Sequence, residues 1–256
     1  MTFLDDVLEV KREEIARLRE NPHAASAAVV ASFEKALRRA GLSIIAEIKR
    51  RSPSKGDLAP NMDAAETARA YAQGGATAIS CLTDRRFFGA RDNDFAQAQT
   101  AGLPLLRKDF LIDEVQIDES VHQGASAILL IARILPNDRL EALLNHAASR
   151  GLGVLVEVHD EAEVDRSLEA GASIIGVNNR NLATLQVDPD RARRLRPRIP
   201  SQIVAVAESG VRSREDVRRI EDAGFDAVLI GEALVTSPDP QATLVELSGR
   251  LREAAR

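Results

Sequence analysis

Four ionisable side chains, Glu47, Lys49, Lys108 and Glu157, stand at the ends of otherwise apolar runs. A charge in such a place is costly unless it is paired or put to use. Carboxylates and ammonium groups mixed in a shielded site can donate and accept protons, so together the four point to acid–base chemistry. Taken singly, each fits a structural ion pair equally well. Lys49 shares the facing of Glu47, because strand side chains alternate with period two. Like-charge repulsion from Lys49 is expected to lower the pKa of Lys108. Asp109 has the opposite parity to Lys108 and is expected in a helix-facing salt bridge. His159 is expected in a surface or capping role, and Asp84, Arg85 and Arg86 in a solvated loop. A second set of residues is small. "AESGV" at 207–211 and "IGEAL" at 230–234 put Ser209, Gly210, Gly231 and Glu232 where backbone N–H groups can approach a phosphate, Glu232 through its amide only. "GVNNRNL" at 176–182 offers Asn178 and Arg180 to hydroxyl, carboxylate or phosphate groups.

These residues are positioned by a recurring pattern: a polar helix-like segment, a glycine, then an apolar β-branched run. It appears at Gly41, Gly75, Gly102, Gly124, Gly151, Gly171 and Gly224. Glycine just past a helix can end it in the left-handed conformation, and the runs that follow have the continuity of strands covered on both faces. "IVAVAES" at 203–209, preceded by Pro200 instead of glycine, completes eight strands. Amphipathic segments such as Asn137–Arg150, Asp160–Ala170 and Ser213–Ala223 lie between them, several opening on an N-cap residue. Strict alternation at roughly 20- to 30-residue intervals predicts a (β/α)8 barrel over an open doubly wound sheet, the more so without a G-x-G-x-x-G or P-loop. Counting six residues from the glycines places Glu47, Lys108 and Glu157 at one level, with Cys81, Leu130, Val177 and Ile230 in the same position elsewhere. The C-terminal strand ends carry the active site in such barrels, so the charged residues are expected to converge at the mouth. Residues 1–40 carry helical patterning, with Leu4, Val7, Leu8, Ile15 and Leu18 on one face, and read as a helical extension of a single domain spanning 1–256.

Composition narrows the function classes. The net charge is -5 with both signs interspersed, so no basic block suggests nucleic acid. One cysteine excludes an internal disulfide, and four scattered histidines make no metal-ligand cluster. With neither a signal pattern nor a membrane-length apolar stretch, the reading is a soluble cytoplasmic protein.

The chain resembles the indole-3-glycerol phosphate synthase family. The matching stretches, "IAEIKRRSPSKG", "LRKDFLID", "LVEVHDEAE", "GVNNRNL", "AESGV" and "LIGEAL", run in the family's order over 44–234, and "FLDDVLEVKREEI" resembles its N-terminal extension. The resemblance implies ring closure of 1-(2-carboxyphenylamino)-1-deoxyribulose 5-phosphate with loss of carbon dioxide and water, in tryptophan biosynthesis, without cofactor or metal. It implies Lys108 as general acid, Glu157 as general base and Glu47 as support for the lysines. Lys49 falls near the substrate phosphate and carboxylate, and its share in the proton transfers stays open. Ser52 and Asn178 are implied to hold the anthranilate part, Arg180 to support the catalytic groups, Phe88 and Phe110 to pack on the ring, and Leu130 to line the pocket. Ser209, Gly210, Gly231 and Glu232 match the phosphate site. Two departures stand out: "RRFFGAR" is one residue shorter than the family pattern near Phe88, and Val115 replaces a frequent tyrosine. A phosphosugar isomerase or epimerase, a Schiff-base aldolase and a catalytically silent phosphate-binding or partner-scaffold protein are the alternatives. A monomer is expected, with association with other tryptophan-pathway enzymes left open.

Overall fold

A computed structural model describes residues 3–20, 31–182 and 184–249. Among them, eight parallel strands close into a barrel: β1 (Ser43–Ile48), β2 (Ala78–Leu82), β3 (Leu105–Lys108), β4 (Ala127–Ile131), β5 (Gly153–Val158), β6 (Ile174–Asn178), β7 (Val204–Glu208) and β8 (Ala227–Ile230). Each pairs with its sequence neighbours, and β8 closes on β1 with Ala46 beside Ile230. All seven glycines of the repeat take positive φ, as the helix-ending role requires. The predicted helices form over Asn137–Ser149, Glu161–Glu169 and Arg214–Asp222, the last two capped by the side chains of Asp160 and Ser213.

Strand pairing corrects one part of the glycine-counted register. Inward-facing residues lie an even number of positions after the glycine in β1, β3 and β5. In β2, β4, β6 and β8 they lie an odd number after it, as in Ala78, Leu129, Ile174 and Leu229. Barrel interiors are filled in layers by alternate strands, so neighbouring strands are staggered and no single count serves all eight. Cys81, Leu130, Val177 and Ile230 therefore face the helices, and only the odd-numbered strands carry the shared position inward.

The extension contributes two pieces. Helix α2 (Phe33–Leu37) buries Phe33 and Leu37 in the interior cluster with Ile45, Ala127 and Leu155, plugging the N-terminal end of the barrel. Helix α1 (Phe3–Glu20) buries Val7, Lys11 and Ile15, spaced four apart on one face, and packs along helix Glu114–His122. The middle of that buried stripe is a cation. Lys11 Nζ lies 2.8 Å from Asp84 Oδ2, 2.8 Å from Asp109 Oδ1 and 2.9 Å from Glu14 Oε2. Burial works against the ammonium, but Asp109 and Asp84 outweigh it and hold the Lys11 pKa above its ordinary value. Asp84 is thus buried and not part of a solvated loop; it also caps helix Arg85–Phe88, accepting from the Phe87 N–H. Asp109 does form the expected salt bridge with the opposite parity to Lys108, but its main partner is α1. Residues 21–30 of the predicted extension lie outside the described residues, as do residues 1, 2, 183 and 250–256. No helix among the described residues is long and apolar enough to cross a membrane.

Removing the Lys11 charge leaves buried Asp84 without its cation and Asp109 with Arg107 alone, 3.6 Å away; breaking a buried pair typically costs about 3–5 kcal/mol. Lys11→Met should lower the urea unfolding free energy by about that amount. An unchanged midpoint would show that the cluster does not fasten α1 to the barrel.

Candidate active site

The four odd strands each carry an inward ionisable residue at or next to their C-terminal end: Glu47 on β1, Lys108 on β3, Glu157 on β5 and, not singled out from the sequence, Glu208 on β7. They form the top layer of the barrel interior. Lys108 Nζ lies 3.4 Å from Glu157 Oε2 and 3.6 Å from Glu208 Oε2. Lys49, just beyond β1, places its Nζ 2.6 Å from Glu47 Oε1. Glu47, Glu157 and Glu208 are at most 3% exposed, so this charge is shielded from water.

Charge balance sets the proton affinities. Glu47 has its own cation in Lys49, which leaves Lys108 to serve both Glu157 and Glu208. Burial works against all of these charges, and Lys108 favours Glu157, whose carboxyl is held below the usual range with help from His159 and a hydrogen bond from Asn178. Burial pushes Glu208 up to about 8; Lys108 pulls it down, while Glu157 and Glu47 push it higher. At neutral pH Glu208 is mostly protonated. Lys108 itself is held above its ordinary pKa: burial opposes its charge, but Glu157, Glu208 and Glu47 outweigh burial. The expected lowering by Lys49 is absent because Glu47 already neutralises Lys49.

Two glycines make room for this layer. A Cβ on Gly176 would lie 2.2 Å from Glu208 Oε1, and one on Gly231 would lie 2.3 Å from Glu47 Oε1 and 3.2 Å from Lys49 Nζ. Gly231 thus accommodates the Glu47–Lys49 pair as well as standing at the strand end where an anion was expected.

Around the layer is a single cavity lined by nearly all of the anticipated residues: Glu47, Lys49, Ser52, Phe88, Lys108, Phe110, Glu157, Asn178, Arg180, Ser209, Gly210, Gly231 and Glu232. Leu130 is the exception. It faces the helices, and its neighbours Leu129 and Ile131 line the cavity instead, because the stagger between strands reverses its parity. Phe88 reaches the cavity despite the shortened loop, its ring centroid 6.1 Å from that of Phe110. Phe3 of α1 extends this apolar wall, 6.3 Å from Phe110 and 5.3 Å edge-on from Phe87. Val115 lies in the first turn of helix Glu114–His122 and is not among the lining residues.

The loop after β1 closes one side. Its residues Arg51–Ser52 pair antiparallel with Gly56–Asp57, and buried Arg50 anchors its base through two bonds to Asp94, 2.8 and 2.6 Å. Arg180 reaches across to Ser54 Oγ (3.2 Å) and to the Leu185 carbonyl (2.9 Å). Lys55 bonds Glu232 Oε1 at 2.5 Å, so the Glu232 carboxylate is paired with a cation. Arg180 N–H donates to Asn178 Oδ1 at 2.9 Å, which directs the Asn178 amide nitrogen to Glu157. Ser209 and Gly210 both have positive φ, at 65° and 88°, a bend that turns the chain at the end of β7.

The sequence reading missed Glu208, Phe3 and Arg212, all of which line the cavity. Glu208 carried a usable signal: it has the parity of Val204 and Val206 in "VAVAE", but its strand lacks the preceding glycine from which the others were counted. Of the surface or capping role expected for His159, the surface half fails, since it is 4% exposed, while its backbone N–H bonds Glu163 in the first turn of the helix that follows.

A family model described as indole-3-glycerol phosphate synthase matches residues 4–247. The chain is 46% identical over 254 residues to an indole-3-glycerol phosphate synthase of Mycolicibacterium gilvum, covering 96% of this chain and 93% of that one. It is 48% identical over 249 residues to that of Pelodictyon phaeoclathratiforme, covering 93% and 97%. Among solved structures, thiamine phosphate pyrophosphorylase from Pyrococcus furiosus superposes with a TM-score of 0.61 at 18% identity, covering 81% of this chain and 94% of that one, a likeness of fold alone.

Two outcomes follow from the geometry. The Glu208 pKa is raised from 4.5 to about 8, so its contribution to stability is fully present below the lower value and is lost as pH rises through the upper one. Glu208→Gln should flatten that slope in urea unfolding measured across pH; an unaltered slope would mean that Glu208 is not held protonated. Gly231→Ala should displace the Glu47–Lys49 pair and lower kcat/KM with the fold retained by circular dichroism, whereas full activity would show that the pair has room to spare.

Proposed function

The chain belongs to the indole-3-glycerol phosphate synthase family, decarboxylating lyases of tryptophan biosynthesis that act on a small phosphorylated substrate, and we propose that the residues of its barrel mouth divide the chemistry as follows. The substrate is 1-(2-carboxyphenylamino)-1-deoxyribulose 5-phosphate. As the ring carbon bearing the carboxylate attacks the ketone carbon, Lys108 gives its proton to the ketone oxygen. Loss of carbon dioxide then restores the aromatic ring. The new hydroxyl leaves as water with a proton from the refilled Lys108, and Glu157 takes the proton that dehydration releases. Protonated Glu208, at 3.6 Å, is placed to refill Lys108 between the two steps. The observation that carries this reading is the ammonium of Lys108 between a depressed and a raised carboxyl, a donor and an acceptor held apart in proton affinity. A Schiff-base lysine would need the opposite shift, toward a neutral amine.

Glu47 holds Lys49, which meets the phosphate or carboxylate of the substrate. Ser52 and Asn178 take the anthranilate carboxylate, and Arg180 fixes Asn178. Phe88 and Phe110 pack on the ring, Leu129 and Ile131 replacing Leu130 in the apolar lining. The phosphate sits against the backbone of Ser209, Gly210, Gly231 and Glu232. Arg212, which also lines the cavity, adds a cation at that end. The proposal extends to one domain over residues 1–256, working as a cytoplasmic monomer with no metal or cofactor, since the side chains present supply both proton donor and acceptor.

Mixing the purified protein with this substrate should produce indole fluorescence against a low background, because the chain has no tryptophan. A flat trace at high protein concentration would sink the assignment. Lys108→Met and Glu157→Gln should each lower kcat by about 10²- to 10⁴-fold with the circular dichroism spectrum unchanged; near-normal rates would remove those roles.

A further inference from the structure

We propose that His159 is a positioning residue for the proton taken up by Glu157, in a relay that runs Glu157–His159–Glu163; this rests on Glu157 being the general base. Two buried polar atoms without a hydrogen-bond partner, Glu157 Oε1 and His159 Nε2, face each other at 3.4 Å. Both side chains are 1% exposed, so water cannot mediate freely between them. The other side of the ring settles which nitrogen carries hydrogen. Glu163 Oε2 accepts from the His159 backbone N–H at 2.7 Å and lies 3.1 Å from Nδ1. A carboxylate there requires Nδ1–H, which leaves Nε2 of a neutral ring as an acceptor.

An acceptor nitrogen opposite a carboxylate oxygen is repulsive unless one proton lies between them. The pair is therefore disposed to take up one proton, which can reside on either atom. When Glu157 takes a proton from the substrate, its Oε1–H bond can break as an Nε2–H bond forms, giving imidazolium and restoring the carboxylate; the reverse transfer returns it. Glu163 balances the imidazolium charge. Although burial opposes its own charge, its bonds to His159 and to Arg133, whose Nε is 2.7 Å from Oε1, hold its carboxyl below the usual range. The other charged groups facing the relay are Lys108 and Glu208 beyond Glu157, and Arg133 and Asp160 beside Glu163.

While the proton is on His159, Glu157 stays available as a base, so the relay extends activity to lower pH. His159→Asn should lower kcat about 10- to 10²-fold, short of the loss typical for a general base. It should leave KM nearly unchanged and move the acid limb of the kcat profile to higher pH. Glu163→Gln should move the same limb in the same direction by less. A lowered kcat with an unmoved limb would assign His159 to packing and overturn the relay, as would a normal kcat. If Glu157→Gln itself kept activity, the general-base reading would fall instead, which separates the two failures. ¹⁵N-histidine NMR of the full chain gives a readout apart from turnover. The signal absent in His159→Asn should show Nδ1 protonated throughout and Nε2 losing its proton at lower pH in Glu157→Gln than in the unaltered protein; identical Nε2 titrations would overturn the proposal.

Discussion

One ammonium has to serve two buried carboxylates at the barrel mouth, and the surrounding site is arranged about that shortage. Lys108 stands between Glu157 and Glu208, Glu47 being occupied by Lys49. Uncompensated charge is too costly to keep in a shielded layer, so one carboxyl must hold a proton, and the less supported of the two, Glu208, does so. That asymmetry gives the layer a proton donor and a proton acceptor side by side. It also explains two absences of side chain: Gly176 and Gly231 occupy the even-strand positions into which Glu208 and Glu47 project.

The layer needs rigid walls, since the interaction between its charges depends on their separation. The parallel strands supply most of that rigidity. The loops after β2 and β3 are tied by α1, whose Lys11 joins Asp84, the cap of the helix bearing Phe88, to Asp109, the residue next to Lys108. Asp109 also accepts from Thr83 Oγ1 at 2.5 Å and from the Phe110 N–H at 2.8 Å. An element outside the barrel thereby orients both aromatic rings and the backbone beside the central lysine. The extension is a wall of the site as well as its fastening, because Phe3 reaches the cavity.

Much of this was legible in the chain. The helix, glycine, strand repeat announced the barrel because each repeat satisfies local rules: a left-handed glycine ends the helix and a β-branched run follows. Glu47, Lys108 and Glu157 were legible because a charge ending an apolar run stands out, and all three fall on odd strands that share one offset. Leu130 was misread because that offset does not hold on even strands, where barrel shear shifts the inward positions by one. Glu208 escaped because a proline turn precedes its strand and leaves no glycine to count from. Lys11 escaped because a lysine within an apolar helical stripe reads as an interruption until its two aspartates are seen beneath it.

The sequence by itself determined the fold, the order of its elements and the chemical types gathered at the strand ends, since these depend on periodicity and on residues near in the chain. Only the tertiary structure decided the proton affinities. Lys108, expected to be lowered by Lys49, is raised by Glu157, Glu208 and Glu47; His159, expected in a surface or capping role, bonds Glu163 at the helix start but faces Glu157 from inside. Both outcomes turn on distances between strands far apart in sequence and on how completely water is excluded there. Electrostatic energy depends on separation and burial, and neither is written in the spacing of residues along the chain.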